Sequence, residues 1–186
     1  MHPLAETLLD EPVIAAVKTD ESLTAALASP CSAVFLLAST LLTVDGLVHR
    51  IHDAGKLAVV HIDLVDGLSS REIAVDSLNA LCHPDGIIST RQSFIRRAKE
   101  LGLAAILRVF LLDSIALESL DKIPPNLPDC LDLLPGTMPK ILRRVCATAK
   151  VPVLAGGLIA DKEDVMAALE AGITAISTTN QAVWDM

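Results

Sequence analysis

His61 and Asp63 stand two residues apart in Val60-His61-Ile62-Asp63. In an extended segment that spacing puts both side chains on one face. Such a pair can hydrogen-bond a hydroxylated ligand, hold a divalent metal or exchange protons. Two ligands without a clear third carboxylate make a thin metal site, so a polar pair facing hydroxyls is the stronger expectation, and no metal or cofactor is expected. Lys18 and Arg108 are cations inside otherwise apolar runs. An unpaired buried charge is costly, so each requires an anion. Asp132 and Asp63 are the chain's own candidates, and a bound phosphate is the other. A Schiff base at Lys18 would need a depressed amine pKa, which nothing in the sequence signals. Gly156-Gly157 and Ser177-Thr178-Thr179 offer a different chemistry. A glycine pair lets the backbone approach a ligand with no Cβ between them. Small hydroxyl residues ahead of a short helix supply N–H and O–H donors and a terminus that favours an anion. Gly136, in Pro135-Gly136, could play the same part at an earlier turn.

All of these residues lie at or beside short apolar runs. The runs occupy residues 13–17, 33–37, 57–62, 86–88, 104–109, 130–134, 152–155 and 174–177. Apolar character over so few residues without alternation marks parallel strands buried on both faces. Amphipathic stretches lie between them. Residues 69–81 read as a helix with Ser69 as N-cap and Glu72 three positions on. Residues 92–101 stop at Gly102, residues 139–150 open on Pro139, and residues 161–171 open on Asp161 as N-cap. Residues 20–29, 40–54 and 114–120 complete the alternation less sharply.

Strand starts are 18 to 29 residues apart, and no linker divides the chain. The expected fold is a compact (β/α)8 TIM-like barrel in one domain over residues 1–186, with short helices and a truncated last helix. An open doubly wound sheet is the alternative. Nine residues follow the eighth run. They are too few for a full helix, so either the N-terminal segment 1–11, read as helical, or a second subunit in a homodimer must cover that face. In such barrels the active residues sit at the carboxyl ends of the strands, and the loops after strands 7 and 8 are the usual phosphate site. Gly156, Gly157, Ser177 and Thr178 are therefore the expected phosphate residues, with Gly136 beside them.

Composition sets the outer limits. The chain has 186 residues, 52% of them hydrophobic, and a net charge of −8, which excludes a disordered tail or a coiled coil. No apolar run is long enough to cross a membrane, and the N-terminus lacks the basic-then-apolar order of a signal peptide, so a cytoplasmic protein is expected. Three Phe, one Trp and no Tyr leave few platforms for base stacking. The four cysteines form no C-x-x-C and read as buried small hydrophobes. Arg96, Arg97 and Lys99, then Lys140, Arg143, Arg144 and Lys150, cluster on two of the amphipathic stretches. They form either solvated helix faces or a contact for a polyanion such as RNA.

Six blocks, in order and spacing, resemble the glycerol-3-phosphate-responsive antiterminators, regulators of bacterial glycerol-uptake operons. They are Val60-His61-Ile62-Asp63-Leu64-Val65-Asp66-Gly67, Asp85-Gly86-Ile87-Ile88-Ser89-Thr90-Arg91 and Arg108-Val109-Phe110-Leu111-Leu112-Asp113-Ser114. Asp132-Leu133-Leu134-Pro135-Gly136, Ala155-Gly156-Gly157-Leu158-Ile159 and Ser177-Thr178-Thr179-Asn180 with Trp184 complete the set. The resemblance implies a small TIM-like barrel that binds glycerol 3-phosphate and, when liganded, the leader mRNA of a glycerol operon. It implies a regulator, not an enzyme. Two positions depart from the family's usual residues: Asp132 stands where Glu is common, and Lys18 where Arg is common. Joined to the residue reading, the resemblance assigns the phosphate to Gly156, Gly157, Ser177 and Thr178. It assigns the glycerol hydroxyls to His61, Asp63 and Asp132, and charge balance to Lys18 or Arg108. RNA contacts would fall on Arg96, Arg97, Lys140, Arg143 and Arg144. The competing classes are an isomerase, aldolase or phosphodiesterase using the same pocket with His61 as proton carrier, and a ligand sensor that binds a protein.

Overall fold

Each apolar run becomes one parallel strand. The computed structural model describes Thr7 and residues 10–186. The strands are β1 (Val13–Val17), β2 (Ala33–Leu36), β3 (Leu57–His61), β4 (Gly86–Ser89), β5 (Ala104–Phe110), β6 (Cys130–Leu134), β7 (Val153–Gly156) and β8 (Ala175–Thr178). Each pairs in parallel with its neighbours in sequence, and β8 pairs with β1 through Val13–Ile176, Ile14–Ser177 and Ala15–Thr178. The ring is closed, so the fold is a (β/α)8 barrel and the open sheet is excluded.

Eight helices follow the strands among the described residues: α1 (Asp20–Ala28), α2 (Val44–Asp53), α3 (Ile73–Cys82), α4 (Gln92–Glu100), α5 (Ser114–Ser119), α6 (Pro139–Cys146), α7 (Lys162–Glu170) and α8 (Gln181–Trp184). In α4 the buried residues are Phe94, Ile95 and Ala98, while Arg96 and Lys99 face solvent. α7 opens as the sequence predicts, with the Asp161 carboxylate accepting from the Asp164 N–H at 3.0 Å. α3 does not: it begins at Ile73, because Ser69 caps a turn instead, accepting from the Arg71 N–H. α6 ends at Cys146, four residues before the expected end.

The strands carry two cores. Residues of one parity, among them Val34, Leu36, Ala58 and Val60, pack outward against the helices. Those of the other parity fill the barrel: Ile14 and Ala16, Ala33 and Phe35, Val59, Ile88, Ala104 and Ile106, Cys130, Leu154 and Ala175. Full burial of each large aliphatic or aromatic side chain contributes roughly 1.5–3 kcal/mol. Continued by two residues toward the carboxyl ends, that interior parity reaches Lys18, His61, Arg108, Asp132, Gly156 and Ser177. Strand pleating thus puts a polar layer on top of an apolar plug.

After β8, α8 is a single turn, and its Val183 and Trp184 are buried beside β1 and α1. Most of the expected N-terminal helical segment lies outside the described residues. Within its described part, the Glu11 N–H donates to the Thr7 carbonyl at 3.0 Å.

Candidate functional site

The polar layer is the floor of a cavity of about 820 Å³ at the carboxyl ends of the strands. Its lining includes Lys18, His61, Asp63, Arg108, Gly157, Ser177 and Thr178. Gly156, Asp132 and Gly136 do not line it. Asp132 is fully buried beneath the surface, and the Gly136 N–H braces the wall by donating to the Gly157 carbonyl at 3.0 Å.

Arg108 spends its charge inside the protein. Its Nε and Nη2 both lie 2.8 Å from Asp132 Oδ2, as their neighbouring register on β5 and β6 requires. Burial pushes the Asp132 carboxyl above its ordinary pKa, while Arg108 opposes the rise. Asp132 Oδ1 has no partner among the described residues. Lys18, exposed at the cavity rim, has no ion pair among the described residues. Of the two candidate cations, Lys18 is therefore the one with charge to spare.

His61 is 4% exposed, and its Nδ1 likewise has no partner among the described residues. Burial, reinforced by the nearby Arg108, lowers its pKa to about 4, with Asp63 opposing. The imidazole is neutral at pH 7, with one ring nitrogen to accept and one to donate. Unfolding restores a pKa of 6.5, so the unfolded state binds more protons below that value. Stability is expected to be flat in this term above pH 6.5 and to fall by about 3 kcal/mol as the pH drops toward 4. Urea titrations of His61→Gln against the parent across that window check this; an unchanged pH slope would remove His61 as its source.

Asp63 is tied down. It accepts from Ser89 Oγ at 3.0 Å, from the Thr90 N–H at 2.8 Å and from Thr90 Oγ1 at 3.1 Å. Its carboxylate, with Arg91 Nε 3.7 Å from Oδ1, fastens the loop after β4 to the cavity wall.

The last two loops meet, as the barrel expectation requires. Thr178 Oγ1 donates to the Ile159 carbonyl and accepts from the Asn180 N–H, stitching the loop after β8 to the one after β7. The Ser177 hydroxyl has no protein partner among the described residues and faces the cavity. A Cβ on Gly156 would stand 2.4 Å from Ser177 Oγ and 3.5 Å from Asp132 Oδ1, so the missing side chain is what makes room there. Gly157 adopts φ +73°, a left-handed turn natural to glycine, and exposes its backbone at the rim. Leu158 follows at φ +61° with its side chain 75% exposed over the cavity.

The basic residues separate. Arg97 is paired with Asp76 and Glu100, and α5 lies between α4 and α6 in the ring. Lys140, Arg143 and Arg144 on α6 are exposed and unpaired among the described residues. The sequence reading missed the apolar wall of the cavity. Leu37, Leu64, Phe110, Leu134 and Leu158 line it, yet apolar residues at strand ends carry no signal that separates them from core.

A parallel barrel with loops joined at β7 and β8, a polar floor and a cation at the rim presents groups able to hydrogen-bond hydroxyls and to balance an anion. Comparison with known proteins narrows the class. The family model for glycerol-3-phosphate responsive antiterminators matches residues 13–184, and the chain belongs to that family. It is 41% identical over 185 residues to the uncharacterized protein YgcP of Escherichia coli (strain K12), covering 99% of this chain and 97% of that one. The crystal structure of the glycerol uptake operon antiterminator regulatory protein of Listeria monocytogenes str. 4b F2365 matches with a TM-score of 0.90 at 33% identity, over 94% of this chain and 95% of that one. A glycerol uptake operon antiterminator-related protein from Thermotoga maritima MSB8 matches with a TM-score of 0.82 at 32% identity, over 94% and 98% respectively.

Proposed function

We propose that this antiterminator family member binds glycerol 3-phosphate in the barrel cavity and, in that form, binds the leader mRNA of a glycerol-uptake operon and prevents early termination. The observation that carries the ligand half is the floor itself. His61 and Ser177 both line the cavity, and the buried His61 Nδ1 has no protein partner among the described residues. Buried polar atoms are costly without a partner, and a polyol supplies partners of both kinds. The phosphate sits against Gly157 and Ser177, with Gly156 leaving room for the Ser177 hydroxyl, Thr178 holding the two loops together and Lys18 supplying the countercharge. His61 and Asp63 face the glycerol hydroxyls. Calorimetry tests this: glycerol 3-phosphate binds and glycerol does not. Equal, weak binding of both rejects the phosphate site.

The RNA half rests on α6. Lys140, Arg143 and Arg144 recur at helical spacing on its exposed face. A ligand shifts the protein toward an RNA-binding state only by binding that state more tightly. Reversing Arg143 and Arg144 to Glu is expected to weaken the liganded RNA complex at least tenfold in gel shifts. It is also expected to flatten the dependence of log affinity on log salt by about 1.4–1.8, two phosphate contacts being lost. Unchanged affinity removes α6 from the interface.

A further inference from the structure

The cavity is larger and more apolar than glycerol 3-phosphate requires. That ligand has about ten non-hydrogen atoms and, at water's share of about 30 Å³ each, takes roughly 300 Å³. The cavity holds about 820 Å³. The excess lies beyond the polar floor, where Leu64, Phe110, Leu134 and Leu158 form an apolar lip continuous with the phosphate loops. Leu64, Phe110 and Leu158 are 48%, 47% and 75% exposed. Leu158 adds a second oddity. A branched apolar residue at φ +61° is strained, and its exposed side chain contributes nothing to the core. Strain and an exposed apolar side chain together, at the rim of a binding cavity, point to an apolar contact made by the occupant.

Building on the glycerol phosphate reading, we propose that the preferred ligand is a free phosphomonoester of a polyol that carries an apolar substituent on the end away from the phosphate. The phosphate occupies the β7 and β8 loops, the hydroxylated middle faces His61 and Asp63, and the substituent lies across Phe110 and Leu158. Each methylene buried there raises affinity about fourfold.

The test compares glycerol 3-phosphate with its 1-O-butyl ether by calorimetry on the full chain. The ether is expected to bind at least tenfold more tightly. In Leu158→Asn, which keeps a residue suited to positive φ, and in Phe110→Ser, the ratio of the two affinities is expected to fall toward one. If glycerol 3-phosphate binds and the ether binds no more tightly, the apolar subsite is overturned and the glycerol phosphate reading stands. If neither binds, both fall. Sedimentation with vesicles containing phosphatidate, in place of a gain with the soluble ether, would overturn a free ligand in favour of a bilayer.

Discussion

Arg108→Met is expected to lose about 3–5 kcal/mol of folding stability at pH 7, the usual consequence of stripping one partner from a buried ion pair. Asp132 is 0% exposed, and Arg108 holds one of its oxygens while the other has no partner among the described residues. Without the guanidinium, burial acts on the carboxylate unopposed. The remedy available to the protein is protonation, and this sets the pH signature. A carboxyl whose folded pKa is raised binds more protons folded than unfolded, so its penalty grows as pH rises from the unfolded carboxylate range and shrinks as pH falls. Urea denaturation of the variant should therefore show a smaller deficit near pH 4.5 than at pH 7. The double variant Arg108→Met with Asp132→Leu should recover most of the loss, because no buried charge remains. Additive losses in the double variant would show that the pair is not coupled.

Gly156→Ala is the second large effect, and it falls on binding. The new methyl would overlap Ser177 Oγ at 2.4 Å, inside any tolerated contact. Ser177 is the hydroxyl facing the proposed phosphate, so its displacement should reduce affinity for glycerol 3-phosphate at least tenfold. Overpacking of this kind also costs about 1–3 kcal/mol of stability. The pair Gly156→Ala with Ser177→Ala separates the two consequences: relief of the clash restores the melting temperature, but the hydroxyl is gone and the affinity stays low. Gly136→Ala is the contrast. Its Cβ would meet Ile159 Cδ1 at 2.8 Å and the Gly156 carbonyl at 3.2 Å but not Ser177, so a cost in stability is expected without displacement of the Ser177 hydroxyl. Calorimetry and thermal melts of the set decide the matter, and a Gly156→Ala variant with parental affinity would place the phosphate elsewhere.

The barrel was legible because its signal is redundant. Eight apolar runs at nearly regular intervals admit few arrangements, and each run became a strand within a residue or two at either end. β5 shows where the pattern strains. Arg108 breaks its apolar character, but the interior parity runs on through Ala104, Ile106 and Arg108, so the strand continues to Phe110. Helix starts were less legible. Ser69 and Glu72 have the spacing of a capping box, yet the chain there follows a short pairing of Val65–Asp66 with Ser39–Thr40 and a glycine at φ +92°. Those tertiary constraints delay α3 to Ile73. At the site, the polar residues stood out because charge inside an apolar run has no packing explanation. The apolar lip did not, since Phe110 and Leu134 look the same in sequence whether they face helices or a cavity. Thr178 lines the cavity, but its hydroxyl is committed to Ile159 and Asn180, a pairing between adjoining loops that spacing along the chain does not reveal.

Trp184 gives the cavity an optical reporter. It is the sole tryptophan in a chain without tyrosine. Its indole N–H donates to the Thr178 carbonyl at 2.9 Å, and its ring packs in the outer core between strands and helices. Any adjustment of the β8 turn on occupancy passes through one hydrogen bond to a shielded chromophore. The emission of the unlabelled protein is therefore expected to change on binding, free of background from other phenols or indoles.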